Sequence, residues 1–155
     1  MNTKYFYQLG LILILILSAC ATIENNPYES RLADAVYEHN LYSVKYALAT
    51  GAGINEKKSF YGNHTALMIA CKEGNYEIAE WLLENGADPN MTTRDGHTAL
   101  MLAAYNRYPD IVKLLLKHKA NVNIVSKRGH TALSETTRTD SEKIKGFLKE
   151  AGAHE

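Results

Sequence analysis

The sequence predicts an all-α solenoid of about four stacked repeats, and three observations carry that reading. The stretch Asn63-His64-Thr65-Ala66-Leu67-Met68 returns as Gly96-His97-Thr98-Ala99-Leu100-Met101 and as Gly129-His130-Thr131-Ala132-Leu133-Ser134, 33 residues apart each time. Each copy is followed by a pair of small residues, Ala70-Cys71, Ala103-Ala104 and Thr136-Thr137. An apolar run then recurs as Ile78 to Leu83, Ile111 to Leu116 and Ile144 to Leu148. A fixed period of this length marks a supersecondary unit that cannot bury its apolar face alone and stacks on its neighbours.

The amino terminus precedes that array and reads differently. Lys4 supplies a positive charge, and Leu9 to Leu17 is apolar apart from Gly10. The run ends in Leu17-Ser18-Ala19-Cys20, the layout of a secretory signal, and it is shorter than the roughly 20 apolar residues of a spanning helix. Residues 1–19 are therefore read as a signal peptide and 20–29 as a tether, with repeats over about 30–58, 59–92, 93–125 and 126–155. Ala21 to Tyr28, fully extended at about 3.3 to 3.6 Å per residue, reach less than roughly 30 Å, which keeps the repeats near the point of attachment.

The first repeat lacks the turn motif but keeps Leu32, Ala35 and Val36 at inward helical spacing, with Ser30 as an expected N-cap. This is what an amino-terminal capping unit requires, because terminal repeats face water on one side. The second repeat should hold an inner helix from Ala66 to Lys72 and an outer helix from Tyr76 to Asn85, punctuated by Gly74 and Gly86 at positive φ. Asn63 takes the slot of Gly96 and Gly129, as the side chain most tolerant of the left-handed region. In the third repeat Pro109 fits the first position of the outer helix, with Asp110 at the positive end of its dipole. The fourth replaces its small pair with Thr136-Thr137 and adds Lys143, Lys145 and Lys149, polar substitutions expected of a cap.

On these motifs the chain resembles the ankyrin repeat family, whose pattern is Gly-x-Thr-Pro-Leu-His-x-Ala-Ala, a short turn, Ile-Val-x-Leu-Leu and Gly-Ala-Asp-x-Asn. Ile78-Ala79-Glu80-Trp81-Leu82-Leu83 and Gly86-Ala87-Asp88-Pro89-Asn90 carry the second half. Ala66, Ala99 and Ala132 stand where the family has proline, and Met68, Met101 and Ser134 where it has histidine. The resemblance implies helix-turn-helix repeats with short β-hairpin fingers. Leu-Ser-Ala-Cys likewise resembles a bacterial lipoprotein box, which implies lipid on Cys20 and a bacterial envelope location facing the periplasm, with Ala21 pointing to the outer membrane. More than one acyl chain would make such an anchor stable. Cys71 is then without an intrachain partner and reads as a small buried hydrophobe.

Removing residues 1–19 leaves 16 basic and 17 acidic residues, so no nucleic-acid partner is implied. The charge is nonetheless graded along the array. Residues 20–90 hold 5 basic and 10 acidic groups, and residues 91–155 hold 11 and 7.

The resemblance implies a protein partner bound on the concave face by residues around the turn motif and the end of the inner helix. Those slots are Tyr37 and Glu38 in the first repeat; Phe60, Tyr61, His64, Lys72 and Glu73 in the second; and Arg94, Asp95, His97, Tyr105 and Asn106 in the third. The fourth supplies Lys127, Arg128, His130, Arg138 and Thr139. Tyrosine and arginine anchor interfaces, which selects Tyr37, Phe60, Tyr61, Arg94 and Tyr105 as the hot spot. Tyr37 and Tyr105 could instead cover the inner helix, and Phe60 with Tyr61 could fold back on the finger.

The row His64, His97 and His130 invites a metal reading. Packed elements lie on the order of 10 Å apart, whereas nitrogens sharing one zinc must each be about 2 Å from it, so the expectation is a row of polar contacts able to titrate near neutral pH, with no metal. The chain has no Gly-x-Ser-x-Gly elbow, His-Glu-x-x-His or phosphate-cradling glycine loop, and the expectation is a monomeric non-enzyme without cofactor. Small lipidated proteins of this kind resemble periplasmic immunity proteins that neutralise toxic effectors such as secreted lipases. A helper of a housekeeping enzyme and a structural envelope lipoprotein stay open beside that reading.

Overall fold

The computed structural model describes residues 27–57, 62–139 and 141–154. Cys20, the signal segment, the tether up to Asn26, Phe60 and Tyr61 lie outside the described residues, as do the side chains of Arg138 and Thr139. Eight helices follow in order among the described residues: α1 (Pro27–Tyr37), α2 (Leu41–Ala49), α3 (Ala66–Glu73), α4 (Tyr76–Glu84), α5 (Ala99–Tyr105), α6 (Pro109–Lys117), α7 (Ala132–Thr139) and α8 (Glu142–Glu150). They form four antiparallel pairs. The inner helices α1, α3, α5 and α7 stack in that order, and the outer helices α2, α4, α6 and α8 make a second, looser layer.

The small side chains explain why the inner layer is the tighter one. Ala70, Cys71, Ala103 and Ala104 are fully buried and let neighbouring helices approach. From Ala66 to Cys71 every residue of α3 is buried, since the helix has neighbours on all sides. Cys71 is a free thiol at zero exposure, and burial raises its pKa far above the ordinary thiol range, so it packs as a small hydrophobe. In the outer layer lysines reach across repeats, with Lys45 Nζ 5.6 Å from the Trp81 ring and Lys113 Nζ 4.5 Å from Phe147. Among the described residues no helix is long and apolar enough to cross a membrane.

Local signals place the helix starts. Thr65, Thr98 and Thr131 each accept a bond from the backbone N–H three residues on, at 3.3, 3.3 and 3.1 Å. At Ser134, where the family has histidine, the hydroxyl also accepts from the Thr131 N–H at 3.0 Å, closing a reciprocal cap. Pro109 opens α6 and Asp110 lies in its first turn, as the sequence implies. Gly74 and Gly86 hold φ of 78° and 92°, and Asn63 holds 63°.

Three expectations are corrected. Ser30 is not an N-cap, because α1 begins at Pro27, inside the segment read as tether; proline suits a first turn whose N–H has no helical partner. Thr136 does not serve a wet cap: it is 1% exposed, and its hydroxyl donates to the Leu133 carbonyl at 2.6 Å, so a polar residue is buried by bonding within its own helix. The fingers are tight turns in which the described residues form no strand beyond an isolated bridge at His64. Thr93 N–H donates to His97 O and Ser126 N–H to His130 O.

The repeats are also joined by an asparagine ladder. Asn55 Oδ1 accepts from Asp88 N–H at 2.8 Å, Asn90 Oδ1 from Asn121 N–H at 2.7 Å, and Asn123 Oδ1 from His154 N–H at 3.3 Å. The same pair of positions is bonded each time, an asparagine after one outer helix accepting from the backbone after the next. Asn90→Ala is expected to lower stability by about 1 kcal/mol, the net worth of one such bond, read from the urea midpoint; an unchanged midpoint would make the ladder incidental.

Candidate functional site on the inner-helix face

The finger backbone positions the functional side chains. In the third repeat the Thr93 hydroxyl accepts from His97 N–H at 3.1 Å while His97 O accepts from Thr93 N–H at 2.9 Å. Ser126 and His130 repeat the same exchange at 3.0 and 2.8 Å. Both hydroxyl residues are buried, which fixes the start of each histidine side chain on rigid backbone. Successive fingers are bonded to one another as well, through Arg94 N–H to Gly62 O at 3.2 Å and Lys127 N–H to Asp95 O at 2.9 Å. The side chains of Arg94, Asp95 and Lys127 stand exposed at the tips.

Four of the residues singled out in the sequence meet in one cleft of about 220 Å³: His97, Tyr105, Arg128 and His130. Met101, Leu102 and Glu135 complete its wall. Tyr105 is 49% exposed at the end of α5. Asn106 is the C-cap of α5 and commits its amide to the Leu102 carbonyl at 2.9 Å, which makes it a helix terminator. His64 is half-buried beside Gly62, outside this cleft. At the other end Tyr37 packs partly against the core, with Lys72 Nζ 6.0 Å from its ring and 3.4 Å from Glu73.

The histidine row departs from expectation. The His97 and His130 rings are 6.5 Å apart, not on the order of 10 Å, and both line one cleft. Glu135 joins them, and ligand-capable atoms of His97, His130 and Glu135 all lie within 4.8 Å of one another. The carboxylate side chain is 4% exposed, and its Oε1 is 2.9 Å from His130 Nδ1. That spacing removes the distance argument against a shared cation.

Glu135 was missed by sequence reasoning, although a signal existed. Counting back by the repeat, it occupies the register of Leu102 and Ile69, two apolar residues. A carboxylate in an inward helical slot is costly without a partner. Another surface was also passed over: Tyr42 and Tyr46 are 79% and 52% exposed on α2 and line a cleft of about 310 Å³ with Asp34 and Glu38. A cleft of about 430 Å³ lies on the outer helices against Tyr76, Asp110, Lys113 and Lys117. Neither of these two clefts is lined by the histidines.

Comparison with known proteins agrees with this architecture. A segment of the ankyrin repeat and KH domain-containing protein mask-1 of Caenorhabditis elegans is 51% identical over 53 residues, 34% of this chain and 2% of that protein. Human protein phosphatase 1 regulatory subunit 27 is 38% identical over 65 residues, 42% of this chain and 41% of that protein. The chain thus aligns with well under two thirds of either relative, and both relatives are animal proteins. Repeats of this family are protein–protein interaction modules. The sequence model for ankyrin repeats matches in three copies, over residues 6–93, 32–126 and 85–154, and with the paired helices and bonded fingers described above this chain belongs to the ankyrin repeat family.

Proposed function

We propose that the chain is a non-enzymatic protein-binding module tethered to a membrane, whose partner docks on the concave inner-helix and finger face around Tyr105 and Arg128. The observation that carries this reading is the cleft in which an exposed tyrosine and an exposed arginine flank Met101 and Leu102. Aromatic and arginine side chains over a partly apolar floor are what interface anchors use. Among the described residues no nucleophile is paired with a base there. The regulatory-subunit relative supports a role exerted through binding. The tether rests on the sequence of residues 4–20 alone: lipid on Cys20 stations the repeats at an envelope surface, facing the periplasm and more consistent with the outer membrane. Within that setting the partner is a protein toxin, a lipase among them, which the module neutralises.

The test is capture from envelope extract with the full chain, beside a Tyr105→Ala/Arg128→Ala variant and a Cys20→Ser variant. The expected result is one partner whose binding falls at least tenfold in the double variant, since hot-spot truncations cost about 2 kcal/mol or more, and loss of membrane association with Cys20→Ser. A toxin as partner supports immunity, and a resident enzyme would replace it with a helper role. Partner binding that ignores the double variant overturns the assignment of this face.

A further inference from the structure

We propose that His97, His130 and Glu135 form a binding site for one divalent transition-metal ion of the zinc class. Two imidazoles and a carboxylate are a borderline-soft donor set that favours zinc and its neighbours over calcium or magnesium. The three groups come from two adjacent fingers and the first turn of α7, so the ion would bridge the third and fourth repeats.

Three independent features support the assignment. Zinc holds such ligands at about 2.0 to 2.2 Å, which puts neighbouring donor atoms roughly 3 to 3.5 Å apart. The 2.9 Å between His130 Nδ1 and Glu135 Oε1 is close to that spacing, and the whole set lies within 4.8 Å, so small side-chain rotations close it. Second, His130 Nδ1 is buried and makes no hydrogen bond despite this short contact. The ring therefore meets the carboxylate off the line a shared proton needs, whereas an ion placed between them would use both lone pairs. Third, the carboxylate is buried in a slot that the second and third repeats fill with Ile69 and Leu102, while the first repeat carries Asp34, and a bound cation would add to what offsets the desolvation of that charge.

The surroundings suit three protein ligands and an open position. The bonds that the Thr93 and Ser126 hydroxyls and N–H groups make to the His97 and His130 backbone hold the Cα atoms of both histidines, which lowers the ordering cost of binding. The cleft beside them leaves room for water or an anionic group as the fourth ligand. Arg128 is the positive group lining the same cleft; it is exposed, so solvent screens its repulsion, and it would favour an anion in the open position.

The experiment is titration of the full chain with cobalt(II), a zinc stand-in with visible absorption, followed by displacement with zinc. The expected result is one saturable equivalent with tetrahedral-type bands, shifts of the His97 and His130 ring nitrogen resonances on adding zinc, and affinity at least tenfold weaker in each of His97→Ala and Glu135→Gln. His154→Ala, which alters a histidine near the carboxyl terminus, should leave the titration unchanged. Circular dichroism checks that each variant folds; if the buried Glu135→Gln fails to, the half-exposed His97→Ala decides. Absence of saturable binding, or binding that survives His97→Ala or follows His154, overturns the site.

Discussion

Leu100→Ala should lower the stability of the folded chain by about 3 kcal/mol, within the roughly 2 to 5 kcal/mol seen when a buried leucine is cut to alanine. Leu100 is 1% exposed on α5, the inner helix packed on both sides by α3 and α7. Truncation removes apolar contacts on both neighbours and leaves a cavity that the close alanine packing cannot collapse to fill. In a stacked array each repeat is held by its neighbours, so the loss should also separate the two halves in unfolding. Urea titration followed by hydrogen exchange reads both effects. A loss under about 1 kcal/mol would mean that the repeats relax around the gap and that the core is not close-packed.

Gly96→Ala should cost about 3 kcal/mol, and the reason is different. Its φ is +87°, where an L side chain costs about 1–2 kcal/mol. An added Cβ would also stand 3.0 Å from Lys127 N and 3.1 Å from Ser126 Cα. Those atoms are backbone of the next finger, whose Lys127 N–H already donates to Asp95 O, so the clash can be relieved only by parting the fingers. Gly129 supplies the control: its φ is +81°, but a Cβ there meets nothing within 4 Å. Gly129→Ala should therefore show the conformational cost alone. Equal losses at the two positions would show that finger contact contributes nothing. Because His97 follows Gly96 directly, the Gly96 variant should also weaken cobalt binding, whereas the cavity in Leu100→Ala should do so only through unfolding.

The legible part of the site was the part written in repeated positions. His97 and His130 stand at equivalent places in copies of one motif, and Tyr105 and Arg128 occupy slots that the family uses for contact, so register alone nominated them. Asn106 was nominated by the same rule and proved to be a helix cap, since a slot names a position and not what the side chain bonds. Positive φ was equally uneven: Gly74 announces it, yet Arg107 in the matching turn has φ of 62° with no such signal. Helix pairing there is strong enough to hold an ordinary residue in the left-handed region.

By itself the sequence determined the repeat architecture, the helix boundaries to within a residue or two in the central repeats, and the burial of Cys71. Those follow from periodicity, caps and side-chain volume, which are local or recur at a fixed interval. Only the tertiary structure decided that the His97 and His130 rings are 6.5 Å apart with Glu135 against them. It likewise decided that Thr136 is satisfied within its own helix while buried, and that Asn55, Asn90 and Asn123 tie one repeat to the next. The physical reason is that a repeat spacing gives the separation of backbones, whereas the distance between functional atoms depends on how far each side chain leans from it. A difference of a few ångströms then separates a row of polar contacts from a set of donors able to share one ion.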